Sequence, residues 1–261
     1  MKFSDAAPHL PPLENAWQKV QPRISVVLPT FNRHAEGRLL PCIESVLAQS
    51  FQNFELIIYD DGSTDGSAEV ITSLAQKDAR IIFISLAQNS GLPAMLVNAG
   101  ILRARGEFTS FIFDDNTWHV QALEQMLAAA ESSQADVVHA GMGLRTSDGR
   151  SRPLGNEPAS LASLELTNSI PNGAVLVHRR FWQRYGLYDP HLLLRRVCDW
   201  DLWLRSLKQG AYFHHLPLEI GLEYGLTLQT SLGNSIPWDY KIVAAYLQNE
   251  AALASRTAAL L

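Results

Sequence analysis

The sequence predicts an α/β fold, a mostly parallel central sheet flanked by helices. Strand-like and helix-like segments alternate over residues 24–140, the pattern of successive βαβ units. The strand segments are short, continuous apolar runs, as in sheets covered on both faces. Two acidic pairs, Asp60-Asp61 and Asp114-Asp115, stand at the ends of the second and fourth strands. Such sheets bind ligands outside the carboxyl ends of their strands, so the acids mark a candidate site.

Residues 1–22 are Pro-rich and aperiodic and read as an extended arm. Ile24 to Pro29 (ISVVLP) is the first strand. A polar loop, Thr30 to Glu36, leads to a helix with Leu39, Leu40, Ile43, Val46 and Leu47 at helical spacing. Phe54 to Asp60 is the second strand, and Asp61-Gly62-Ser63-Thr64-Asp65 after it is turn chemistry. Val70, Ile71 and Leu74 mark a helix, and Ile81 to Ile84 is the third strand. A helix runs from Ala94 to Ala104, with Pro93 in its first turn, where a missing N–H is harmless. Phe108 to Phe113 is the fourth strand, Leu123, Met126 and Leu127 lie on the next helix, and Asp136 to Ala140 is the fifth strand.

The alternation stops after residue 141. Gly141 to Arg150 reads as a hairpin or an excursion loop with Ser147-Asp148-Gly149 at its tip, and residues 151–173 as irregular chain. Ala174 to His178 is a strand, Arg179 to Tyr185 a short helix, and Asp199 to Gln209 an amphipathic helix ended by Gly210. Trp238 to Leu261 is Ala-rich and helical. The expected division is an arm (1–22), one domain (23–221, in halves 23–116 and 117–221) and a helical extension (222–261).

Composition narrows the function. The chain has 261 residues, 47% hydrophobic and 18% charged, which is globular rather than disordered. Its net charge of −5 disfavours general nucleic-acid binding, which needs a cationic surface. Two cysteines, Cys42 and Cys198, make neither a disulfide scaffold nor a zinc motif, so a reducing cytoplasm is expected. No secretory h-region and no apolar run of about 20 residues is visible, so a chain without a transmembrane segment is expected.

Asp114-Asp115-Asn116 offers two or three oxygen ligands at a strand end, as Mg²⁺ or Mn²⁺ requires beside a phosphate. The same residues would serve as a capping turn into a helix near Thr117 to Val120. Asp60-Asp61 would supply a carboxylate to accept a hydrogen bond from a base imide, or simply Asx-turn and N-cap residues. Asp199 and Asp201 lie in the first turn of their helix, where the dipole favours negative charge. Trp200, Trp203 and Leu204 form one apolar face, so Asp201 turns toward solvent or Arg205 four residues on. His214 and His215 are adjacent on a strand and point to opposite faces.

Taken in order, Ile24-Ser-Val-Val-Leu-Pro-Thr-Phe-Asn-Arg, Ser45 to Ile58, Asp60-Asp-Gly-Ser-Thr-Asp, Asn89-Ser-Gly, Asn98, Gly106 and Asp114-Asp-Asn resemble glycosyltransferase family 2 of the GT-A fold. Arg179 to Asp189 and Asp199-Trp-Asp-Leu-Trp-Leu-Arg continue the resemblance, which covers residues 23–215. It implies a Rossmann-like, inverting, non-processive enzyme moving a sugar from a nucleotide-diphosphate sugar, UDP- or dTDP-linked, to an acceptor hydroxyl. The setting implied is synthesis of cell-surface polysaccharide or glycoconjugate, in the cytoplasm or at the inner face of the membrane. Residues 23–116 would be the nucleotide-binding half and 117–221 the acceptor half, the acceptor being a saccharide or a lipid-linked saccharide. The resemblance places Pro29, Thr30, Asn32, Asp61 and Asp114 at the nucleotide, Asp115 and Asn116 at a divalent cation (Mn²⁺ or Mg²⁺), and Asp199 as general base. The chain departs from the family at Asn116, where an acid is usual, and at Cys198, where glutamate often precedes the base. Two rivals remain: a sugar-phosphate nucleotidyltransferase, which would have no use for Asp199, and a degenerate module that binds a nucleotide sugar without turnover.

Overall fold

The computed structural model describes residues 21–225 except 147, 148, 192, 193 and 195. Nearly all of the expected arm, the hairpin tip at Ser147-Asp148 and residues 226–261 of the expected extension lie outside the described residues. The first half alternates as expected: β1 (Ile24–Thr30), α1 (Leu39–Leu47), β2 (Phe54–Asp60), α2 (Ser67–Ala75), β3 (Ile81–Ser85), α3 (Pro93–Arg103) and β4 (Phe108–Phe111). There follow β5 (Asn116–Trp118), α4 (Ala122–Ser133), β6 (Val137–Arg145), β7 (Ser151–Leu154) and α5 (Leu161–Leu164). A 3-10 turn (Asn172–Ala174), β8 (Val175–His178), α6 (Arg179–Tyr185), α7 (Cys198–Lys208) and β9 (Phe213–Tyr224) complete it.

The strands form one sheet in the order β3-β2-β1-β4-β8-β6-β9-β5, with β7 paired to β6. The block β3-β2-β1-β4 is parallel throughout. Beyond it β4 and β6 flank an antiparallel β8, β6 and β9 are parallel, and β5 is antiparallel to β9. From β1 the chain goes out to β2 and β3 and then returns to place β4 on the other side of β1. That reversal opens a crevice at the carboxyl ends of β1 and β4, the switch point where open α/β sheets take ligands.

β1 is buried along its length because both faces are covered. Ile24, Val26 and Leu28 pack with α1 and α4, while Val27 packs on the other face with Ala94, Val97 and Ile101 of α3. A Cβ at Gly100 would meet a Val27 methyl at 2.3 Å, so α3 reaches β1 only because that residue is glycine. Trp203 and Leu202 of α7 are fully buried in the same second cluster as Phe181 and Tyr188, which ties the helix bearing Asp199 to the sheet.

Four sequence expectations need correction. The fourth strand ends at Phe111, not Phe113: Ile112 still donates to the Val27 carbonyl, and the chain then turns away into the acidic segment. Residues 116–118 are a strand, not a helix-capping turn, because β9 supplies their partner. The strand expected around His214-His215 runs on to Tyr224 and crosses the boundary expected after residue 221. Residues 151–173 are only partly irregular, holding β7 and α5.

Where β6 and β9 pair, His139 stands opposite His215 with ring centroids 4.9 Å apart. His139 is fully buried and its Nε2 accepts the Ala159 N–H. Burial first, then His215 and His214, depress its pKa to about 3; Glu157 faces His215 and acts in the opposite sense there. The unfolded chain therefore binds a proton that the folded chain refuses, and stability falls as pH drops below about 6.5. Between pH 7 and pH 5 wild type should lose about 2 kcal/mol more than His139→Gln, whose amide oxygen can still accept from Ala159. Parallel pH curves in urea unfolding of the two proteins would refute this.

Candidate active site

At the end of β1 the chain turns through Thr30, Phe31 and Asn32. β4 pairs with β1 only as far as Val27 and Phe111, two residues short of Pro29, so the crevice begins beside Pro29. The Thr30 hydroxyl is buried beside the Asp114 carboxylate and favours its charged form. Asn32 adopts a left-handed φ of 52°, which asparagine tolerates better than most residues. Its Oδ1 accepts the Thr64 N–H at 2.8 Å and its N–H donates to the Ser63 hydroxyl at 2.8 Å. Asn32 thus staples the loop after β1 to the loop after β2.

The adjacent acids after β2 do different work. Asp60 accepts the Ser63 N–H at 3.2 Å and the Ser85 hydroxyl at 2.9 Å, so it shapes the turn. Asp61 reaches across to Ser90, accepting its N–H at 2.7 Å and its hydroxyl at 3.0 Å. The two loops can touch because Gly62 sits at φ +73°, where a Cβ would lie 2.7 Å from the Gln88 carbonyl carbon. Asp61 is a buried carboxylate held from one side. An ionised carboxylate has about four lone-pair positions, and these two bonds fill two of them.

The segment after β4 carries a denser set. Asp114 accepts the Phe31 N–H and the Arg33 Nε–H, each at 3.2 Å, and Arg33 also pairs with Glu36. Desolvation raises the Asp114 carboxyl while Arg33 pulls it back. Asp115 has no such clamp. Desolvation, then Asp114 and Glu223, push it up to about 8, and Arg33 opposes them only in part. Asn116 donates its amide to Asp115 Oδ1 at 3.1 Å. Its own carbonyl oxygen is turned to Gly173, where a Cβ would come within 2.2 Å of it. Asn116 therefore orients Asp115 and does not present its oxygen beside it.

Glu223, opposite Asn116 on β9, is the acid that sequence reasoning missed. Desolvation and then Asp199 raise its carboxyl. Its charge acts on Asp115, in the segment after β4, and Asp199 of α7 acts on it in turn.

Asp199 lies in the first turn of α7 and accepts the Asn168 amide at 2.8 Å. Desolvation raises its pKa, against hydrogen bonds from Trp200 and Asn168 and the charge of Arg196. Asp201 points elsewhere, to Arg205 at 3.3 Å, the pairing its position four residues upstream requires. Asn98, part of the sequence pattern, clamps both backbone polar groups of Tyr188. Its place is in holding the loop before α7 against α3.

The carboxyl edge of β1, β2 and β4 therefore carries a run of carboxylates, and Glu223 links it to the buried acid at the start of α7. Among the described residues no three His, Cys, Asp or Glu side chains form a ready ligand cage. A divalent cation still fits the donor chemistry. Mg²⁺-type sites commonly use one or two carboxylates and complete their shell with substrate phosphates and water. Asp115, an under-compensated carboxylate, has the chemistry such a site would use. Among the described residues no helix is long and apolar enough to cross a membrane.

The family model described as "Glycosyl transferase family 2" matches residues 25–203. TuaG of Bacillus subtilis, named for teichuronic acid biosynthesis, is 30% identical over 73% of this chain and 74% of its own length. Among solved structures, S. aureus TarS 1-349 in complex with UDP superposes with a TM-score of 0.65 at 20% identity, over 78% of this chain and 60% of that one. The mannosyltransferase PcManGT from Pyrobaculum calidifontis, in complex with GDP-Man and Mn²⁺, superposes with a TM-score of 0.62 at 14% identity, over 82% of this chain and 59% of that one. This chain thus spans about 60% of each solved relative, and these likenesses carry the fold.

Proposed function

The chain belongs to glycosyl transferase family 2, and on that premise we propose that it transfers a sugar, with inversion, from a UDP- or dTDP-sugar to an acceptor hydroxyl. The observation that supports this reading is three acids in different chemical settings: Asp61 bonded to Ser90, Asp115 beside Asp114 and Glu223, and Asp199 bonded to Asn168. The base lies by the end of β2, where the free lone pairs of Asp61 accept the N3–H of a uracil or thymine ring. Asp115, oriented by Asn116, would hold a divalent cation. Such an ion would supply Lewis-acid neutralisation of the charge that builds on the leaving group.

Asp199 takes the proton of the acceptor hydroxyl as its oxygen bonds to the anomeric carbon. The bond from that carbon to the diphosphate breaks on the opposite face, and the diphosphate leaves with the electron pair. One displacement inverts the configuration. Burial raises the pKa of Asp199, which makes its ionised form a stronger base than an ordinary aspartate. The name of TuaG supports a cell-surface polysaccharide setting, for which a saccharide or lipid-linked saccharide is the proposed acceptor, and the UDP complex of TarS supports a nucleotide-sugar donor.

Release of nucleoside diphosphate from UDP-, dTDP-, GDP- and ADP-sugars tests the reading. Pyrimidine donors should be turned over. Tight UDP binding with no release from any donor would mark a binding module and refute the proposal. Asp61→Ala should weaken UDP binding about tenfold or more, since a buried hydrogen-bond partner is worth about 1–3 kcal/mol. Equal UDP affinity of variant and wild type by calorimetry, or a purine preference, would remove Asp61 from the base site.

A further inference from the structure

Asn168 lies between α5 and the 3-10 turn, in the stretch that the sequence left without a role. Its amide is fixed at both ends. The oxygen accepts the Ile170 N–H at 3.3 Å, and the nitrogen donates to Asp199 Oδ2 at 2.8 Å. The Ile170 contact decides which end of the amide faces Asp199, so the carboxylate always meets a donor there. The loop itself is anchored on both sides. Leu164 and Ile170 are buried in the core, and the Trp200 indole donates to the Leu164 carbonyl at 2.6 Å. The segment therefore cannot drift relative to α7 without breaking contacts to the residue next to Asp199.

We propose that Asn168 is the positioning residue for Asp199, holding one carboxylate oxygen so that the other faces the acceptor. This inference rests on the reading of Asp199 as general base. The Trp200 N–H at the helix start also holds the Asp199 carboxylate, and Asn168 adds a side-chain donor that fixes its rotation from the opposite segment. A displacement of about 1 Å at a reacting group can cost about 10²-fold in rate. No other side-chain amide reaches Asp199 among the hydrogen bonds of the described residues. The charged and titratable groups around it are Arg196, Glu223 from β9, Tyr188 and Cys198. Of these only Arg196 favours the ionised carboxylate.

The test compares wild type, Asn168→Ala, Asn168→Asp and Asp199→Asn, using the sugar-nucleotide panel above for turnover and UDP for binding. Asn168→Ala should lower kcat about 10- to 100-fold with the UDP Kd within about twofold of wild type. Loss of a donor to the ionised form should also move the acid limb of kcat upward by about one pH unit. Asn168→Asp keeps the shape but sets a second acid against the first, so its limb should move further. An unchanged kcat and acid limb in both Asn168 variants, with Asp199→Asn inactive, would overturn the positioning role and leave the base standing. An active Asp199→Asn would overturn both. Thermal unfolding like that of wild type in Asn168→Asp separates these effects from loss of fold.

Discussion

Asp199→Asn is expected to bind UDP as wild type does and to turn over its donor about 10²–10⁴-fold more slowly, the usual worth of a general base. Asparagine keeps the size of the side chain and an oxygen that can accept the Asn168 amide and the Trp200 N–H. It cannot take a proton from a hydroxyl. The residue two positions on provides the internal control. Asp201 is bonded to Arg205, and Arg205 also donates to the carbonyls of Tyr185 and Leu187. Asp201→Asn should therefore cost less than about tenfold, because a part-exposed i,i+4 pair contributes only a few tenths of a kcal/mol to the helix. If Asp199→Asn kept more than about a tenth of the wild-type rate and Asp201→Asn lost nearly all, the two roles would be exchanged. The pH profile gives an independent reading. The base works ionised, and recess in the crevice raises its pKa. The rate should fall as pH drops through a value above the ordinary aspartate range of about 3.9.

What the chain showed in advance depended on how local its determinants are. The runs Ile24 to Pro29 and Phe54 to Asp60 are buried on both faces, so their strand character is written in their own composition. The helix Arg179 to Tyr185 has the bounds expected from its own residues. β5 is different. Its three residues become a strand only because residues 221–223, a hundred positions later, lie against them. Nothing in Asn-Thr-Trp itself says so, and the helix-capping alternative was locally as good. The same distance hid Glu223, which enters the crevice from the far end of β9. Asn168 was hidden for another reason. It lies in a polar stretch without periodicity, and its partner on α7 is 31 residues away. The acidic pairs at strand ends were visible because parallel topology sends the ends of β1, β2, β3 and β4 to the same edge. Which acid of each pair is tied into a turn, Asp60 by Ser63 and Ser85, and which remains available, depends on side-chain partners that no spacing records.

Asp115→Ala is expected to abolish the effect of Mn²⁺ on UDP binding. In wild type Mn²⁺ should tighten UDP by about tenfold or more, or at least 1.4 kcal/mol; in the variant the affinities with and without the ion should coincide. The reasoning begins with charge. Asp114, Asp115 and Glu223 crowd one edge of the crevice, and Asp114 has Arg33 as its own counter-ion. Asp115 is left with the least compensation, which is why its carboxyl is pushed up to about 8. A group in that state gains most from a divalent cation, and the cation gains a donor whose lone pairs are not committed to a clamp. The same crowding separates a binding role from a structural one. Removing a carboxylate that repels its neighbours should leave the melting temperature of the ligand-free protein equal to or above that of wild type, as for any poorly compensated recessed charge. A variant that melted lower and lost UDP binding with and without Mn²⁺ would show that Asp115 supports the fold of the crevice. A variant with undiminished Mn²⁺ dependence would exclude Asp115 as the ligand and direct the search to Asp114 and Glu223, whose carboxylates flank it.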